Sequence, residues 1–174
     1  MKFYTLIFLL FLFSCSDEKR IIMDINKLKI PISSATQISS VHTDSGLVSS
    51  ILESPKMYNF TNSDFPYFEF PENLEVILYD KNNNKTKIFS DYAISYSNTD
   101  LIDLRGNVIV STHLGDTLFT DQLYYERLEE WLFTDNKFRY ISDDKEIYGV
   151  GFNSDKTFEK IKFLEVTGYV SFKE

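Results

Sequence analysis

Leu101-Ile102-Asp103-Leu104-Arg105-Gly106-Asn107-Val108-Ile109-Val110-Ser111 is the stretch that decides the fold. Val108 and Val110 alternate with Asn107, Ile109 and Ser111. Such period-two patterning in β-branched residues marks a strand with two unlike faces. Gly106 and Asn107 interrupt it. Both residue types tolerate positive φ, so a bend or bulge belongs there. The arrangement then recurs. A shift of 30 residues carries Asp91 onto Asp121, Ile94 onto Tyr124, Leu101 onto Trp131, Gly106 onto Asn136, Val108 onto Phe138 and Val110 onto Tyr140. A further shift of 32 carries Trp131 onto Phe163, Asn136 onto Gly168 and Phe138 onto Val170. Periods of this length mark stacked supersecondary units. Each unit adds a V-shaped rung of antiparallel strands. Stacked rungs give a folded sheet, apolar inside, with an open edge strand at each end.

The same alternation extends on both sides. Leu74, Val76 and Leu78 alternate with Glu75, Ile77 and Tyr79; Phe138 and Tyr140 flank Arg139; Ile161 and Phe163 alternate with Lys160 and Lys162. Turn residues separate the runs at Asp80 to Asn84, Ser97 to Asp100, Gly115-Asp116, Asp135-Asn136 and Asp143-Asp144. Turns spaced about 8–12 residues apart predict an all-β sandwich or barrel-like fold. Leu123 to Leu132 has helix-forming charges, but the repeat assigns it two strands with a turn near Leu128-Glu129. Residues 21–35 hold the one helix candidate, interrupted by Pro31.

At the N-terminus, Lys2 precedes an apolar run from Phe3 to Phe13, which Ser14 and Cys15 close. A charged start, a short apolar run and small residues make a secretory signal peptide. The run falls short of the roughly 20 apolar residues that span a bilayer. Leu12-Phe13-Ser14-Cys15 has the leucine-x-small-cysteine form of a bacterial lipoprotein signal, and Cys15 is the only cysteine. The expectation is a signal peptide over 1–14, a mature chain lipidated at Cys15, a tether over 15–35 and a β domain over 36–174. The alternative is an ordinary signal peptide with an incidental cysteine. The mature chain holds 17 basic against 26 acidic residues. That balance argues against nucleic acid, which needs clustered Lys and Arg, and leaves membrane attachment to the acyl chains.

No catalytic constellation stands out. His42 and His113 lie 71 residues apart without further ligands at short spacing, so both read as surface histidines rather than a metal site. There is no glycine-rich phosphate loop and no Gly-x-Ser-x-Gly elbow. The sequence calls for no enzyme activity, no cofactor and no metal.

Asp91-Tyr92-Ala93 with Tyr96, then Leu104-Arg105-Gly106-Asn107-Val108, then Asp116-Thr117-Leu118-Phe119-Thr120 and Leu123-Tyr124-Tyr125 form an ordered series. Phe133-Thr134-Asp135 and Ile147-Tyr148-Gly149-Val150-Gly151-Phe152 complete it. The series resembles the LptC family, the periplasmic protein of the lipopolysaccharide-export ABC transporter, here in a lipoprotein variant. The match covers roughly Asp44 to Phe172. The resemblance implies a twisted, boat-shaped antiparallel β-jellyroll of the LptA/LptC/OstA type. It implies a groove for the acyl chains of lipopolysaccharide. It also implies edge-strand pairing with the inner-membrane ABC transporter and with the periplasmic bridge protein LptA. The usual member carries a transmembrane helix where this chain has its lipoprotein signal.

The inward set expected to line that groove is Val76, Leu78, Ile94, Leu104, Val108, Val110, Phe119, Phe133, Phe138, Tyr140, Phe152, Phe163 and Val170. Taken singly, each fits a dry core as well. Taken together, an open folded sheet leaves some of them at its mouth, and a large apolar groove usually holds a ligand. Arg105, beside the bend, reads as a brace for the turn. The C-terminal run presents Ile161, Phe163, Val166 and Val170 without a proline to blunt it, and is the expected partner edge. The reading is a lipid-anchored carrier of lipopolysaccharide at the periplasmic face of the inner membrane. The runner-up is an outer-membrane lipoprotein with a structural or glycan-binding role.

Overall fold

A computed structural model describes residues 30–168 and the backbone of 171–172. The expected signal peptide, Cys15, most of the expected tether and Val170 lie outside the described residues. The order of elements is β1 (Ser33–Asp44), β2 (Leu47–Asn59), β3 (Tyr67–Phe70), β4 (Leu74–Tyr79), β5 (Lys85–Ser90), β6 (Tyr92–Tyr96), β7 (Leu101–Ser111), β8 (Thr117–Glu126), β9 (Trp131–Ile141), β10 (Lys145–Asp155), β11 (Ile161–Val166) and β12 (Ser171–Phe172). All pairings are antiparallel. The all-β jellyroll stands, and so does the turn between Glu126 and Trp131 that splits the helix-like stretch into β8 and β9.

The strands form one sheet, and some long strands change neighbours along their length. Residues 109–111 of β7 pair with β5, while residues 102–105 pair with β6. Likewise β2 pairs β4 through residues 50–53 and β3 through 58–59. One arm of the V therefore contains β4, β5 and β12, the other β3, β6 and β11. The strands β7 to β10 run through both arms.

A line of ladder breaks forms the crease. It passes through Gln37 on β1, Asp91 between β5 and β6, Gly106-Asn107 on β7 and Gly151 on β10. Gly106 and Asn107 have φ of 75° and 44°, as the bend requires. A Cβ at Gly106 would sit 3.0 Å from Asp91 Oδ2. That carboxylate accepts from Asn107 Nδ2 at 2.6 Å, and the Asp91 amide donates to the Gly106 carbonyl at 3.0 Å. Bending a sheet frees backbone groups that must find partners elsewhere. Hydroxyls on the inner face supply them. Thr120 Oγ1 donates to the Lys137 carbonyl at 2.9 Å, Ser54 Oγ donates to the Asn73 carbonyl at 2.7 Å, and Thr134 Oγ1 accepts from the Asn136 amide at 3.0 Å.

Three expectations need correction. The helix candidate fails over its described part, because β1 starts at Ser33, inside the stretch assigned to the tether. The turn at Asp135-Asn136 is instead the crease of β9, where the ladder to β8 skips. Asn136 bends there without positive φ. In the third copy, the position of Gly168 falls in the break between β11 and β12, so the repeat ends on a broken strand.

Candidate functional site between the arms

The two arms enclose one apolar cluster. Val76, Leu78, Leu104, Val108, Val110, Phe138, Tyr140 and Phe152 from the inward set are buried in it. Phe163 is half-buried against the same cluster. Ring contacts knit its C-terminal part: Phe138 stacks on Phe163 at 5.3 Å, and Phe152 lies 5.8 Å from Phe138. The alternating pattern positions these residues. On β4, Leu74, Val76 and Leu78 are buried while Glu75, Ile77 and Tyr79 are half-exposed.

Three of the thirteen residues belong to the opposite face. Ile94 lies between buried Ala93 and Ser95, Phe119 between buried Leu118 and Thr120, and Phe133 between buried Leu132 and Thr134. A one-residue change of parity moves a side chain to the other face, and here the small or hydroxyl residue faces inward. Outside, Phe119 receives the Arg139 guanidinium at 5.5 Å and Phe133 stacks on Tyr124 at 5.2 Å. The sequence reading missed Leu118, Leu123, Leu132 and Ile88, all fully buried. Strict parity from each bend would have found them.

Among the described residues the buried set includes one charged side chain, Asp103, which is paired with Arg105 and Gln122. The phenols of the apolar cluster are held protonated: burial, then Asp116, pushes Tyr140 up to about 12. Burial also raises Tyr125. Arg105 takes the bracing role, with Nε donating to Asp103 Oδ2 at 3.0 Å on its own strand. Asp103 Oδ1 accepts from Gln122 Nε2 at 2.8 Å. His42 and His113 are exposed, and among the described residues no group of acidic, histidine or cysteine side chains is placed to hold a metal.

The apolar interior runs along the sheet from β2 to β11. At one end Leu52 and Met57 of β2 are partly buried against it, and at the other Ile161 and Phe163. The end strands β1 and β11 each have one side unpaired among the described strands. Ile161 and Phe163 of the expected partner edge turn inward, whereas Val166 is 50% exposed. The Thr167 amide donates to the Tyr148 carbonyl at 2.9 Å. In an antiparallel ladder alternate residues point their amides the other way, so Leu164 and Val166 present theirs to the open edge.

The class this defines is a folded β-jellyroll with an apolar cluster between its two arms and, among the described strands, two free edges. The chain belongs to the lipopolysaccharide-assembly, LptC-related family, whose model matches residues 4–171. Membership makes it a component of lipopolysaccharide transport at the periplasmic side of the inner membrane, in a family of transport and binding proteins. Among curated proteins none matches the chain.

Proposed function

We propose that this protein receives lipopolysaccharide from the inner-membrane ABC transporter and passes it to the bridge protein LptA, holding the acyl chains between its two arms. The apolar cluster between the two arms, with half-buried Leu52, Met57, Ile161 and Phe163 packed against it, supports this reading. An acyl chain gains about 0.8 kcal/mol for each methylene it buries, so several chains bind firmly without any basic pocket. The energy for directional transfer comes from the partner ATPase. Attachment through Cys15 keeps the domain at the membrane, with β11 as the edge for the bridge protein.

A photo-crosslinking residue tests the interior directly. Placed at Phe138, which faces inward, it should capture lipopolysaccharide in cells. Placed at Phe119 or Arg139, on the outer face, it should not. Equal capture at all three positions would overturn the reading.

A further inference from the structure

Near the C-terminal end of the V one turn reaches from one arm to the other. Residues 156–160 join β10 to β11 on the rim of the arm that contains β3, β6 and β11. Lys156 Nζ donates to the backbone carbonyl of Tyr79 at 2.8 Å. Tyr79 ends β4, on the rim of the other arm. The same ammonium meets Glu130 Oε1 at 2.5 Å, and the Lys156 amide donates to the Glu130 carbonyl at 3.1 Å. Its side chain is only 12% exposed.

Two residues on, Phe158 has φ of 62° and is buried. A bulky residue in the left-handed region is strained, and such strain persists only where the surroundings impose it. The other left-handed positions on the rims are Ser45, Gly46, Asn83, Asp100, Gly115 and Glu130, none of them buried. Phe158 alone turns inward. Its ring lies 5.3 Å from Phe152 and 6.1 Å from Tyr140, residues whose strand segments belong to opposite arms. Asp155 fixes the turn: Oδ1 accepts from the Glu159 amide at 2.9 Å and the Lys160 amide at 3.3 Å.

We propose that Lys156 and Phe158 form a latch that closes the mouth of the V over the interior when it is empty and releases to admit acyl chains from the side. The proposal rests on the reading that the interior holds acyl chains. The polar half of the latch joins the rims outside, and the aromatic half fills the space a chain would enter. A flexible lysine and one ring on a short turn can leave together without disturbing the strand ladders.

The test uses the full chain in nanodiscs, with Lys156→Met, Lys156→Arg and Phe158→Asn, each with and without a photo-crosslinking residue at Phe138. Hydrogen exchange without ligand reports the latch. Lys156→Met and Phe158→Asn should speed exchange about tenfold in residues 150–163 and leave β4 and β5 unchanged, while Lys156→Arg stays near the wild type. Added lipopolysaccharide should then form the Phe138 adduct faster in the two opened variants, by a similar factor. Unchanged exchange in both variants, exchange raised equally in every strand, or faster exchange with an unaltered adduct rate overturns the latch as the entry route. Locally faster exchange with no adduct in any version leaves the closure standing and defeats the acyl-chain reading instead.

Discussion

Single residues set how closely the rungs pack. Gly149 on β10 pairs with Phe138 on β9, and a Cβ there would lie 2.1 Å from the Glu165 carbonyl oxygen and 2.6 Å from the Phe138 ring. The carbonyl belongs to β11 and cannot move without breaking the pairing to β10. Gly149→Ala should therefore destabilise the protein by about 1–3 kcal/mol, the usual cost of overpacking, read as a lower denaturant midpoint. Tyr140 adds a pH signature. Its folded pKa of about 12 lies above the ordinary tyrosine value near 10. The protonated phenol is thus favoured by folding, and its contribution is fully present below about pH 10. It is lost as pH rises through about 12. Denaturant midpoints measured from pH 8 to pH 12 should fall less steeply in Tyr140→Phe than in the wild type; parallel curves would exclude Tyr140 as a source. Residue-level placement was only partly legible. Val108, Val110, Phe138 and Tyr140 obey simple alternation and lie inside as expected. Phe119 and Phe133 misled because aromatic size suggested burial, while their inward neighbours are threonines that serve the crease.

At the scale of strands, the alternation and the turn residues made β4, β7 and β11 readable, and Gly106 announced the bend. The repeat placed a bend at Asn136 as well, but the way Asn136 bends and the turn at Phe158 were not readable. The first bends because the threonine at position 134 captures its amide, and the second is held by contacts from both arms. Neither cause is local in sequence pattern. The edge β11 offers a specific test. A proline at Val166 removes a donor that points outward while sparing the Thr167 amide that bonds Tyr148. Val166→Pro should lower capture of the bridge protein about tenfold, or roughly 1.4 kcal/mol, with the melting temperature nearly unchanged. Unaltered capture would move the contact to β1. That strand has twelve residues, no proline and no lysine, and its far side is equally free.

At the scale of the whole molecule, the described fold makes no use of Cys15, so anchoring and folding are separable expectations. Cys15→Ser should shift the protein from the membrane fraction to the soluble periplasmic fraction and leave the melting temperature of the domain unaltered. Retention at the membrane would show a second attachment. The crease carries a further consequence. The rungs β1, β2, β3 with β4, β5 with β6, β7, β8, β9, β10 and β11 with β12 make nine layers. At about 4.8 Å per layer they span roughly 40 Å. Successive layers run in opposite directions, so the chain can lengthen by two layers and keep both exits on the same rims. A gain of one layer would send the next segment out on the wrong side. Reach thus comes in whole hairpins of about 30 residues, or roughly 10 Å of added length, and a tandem duplication inserted at a rim turn is the smallest change that yields a longer folded sheet with the same two ends.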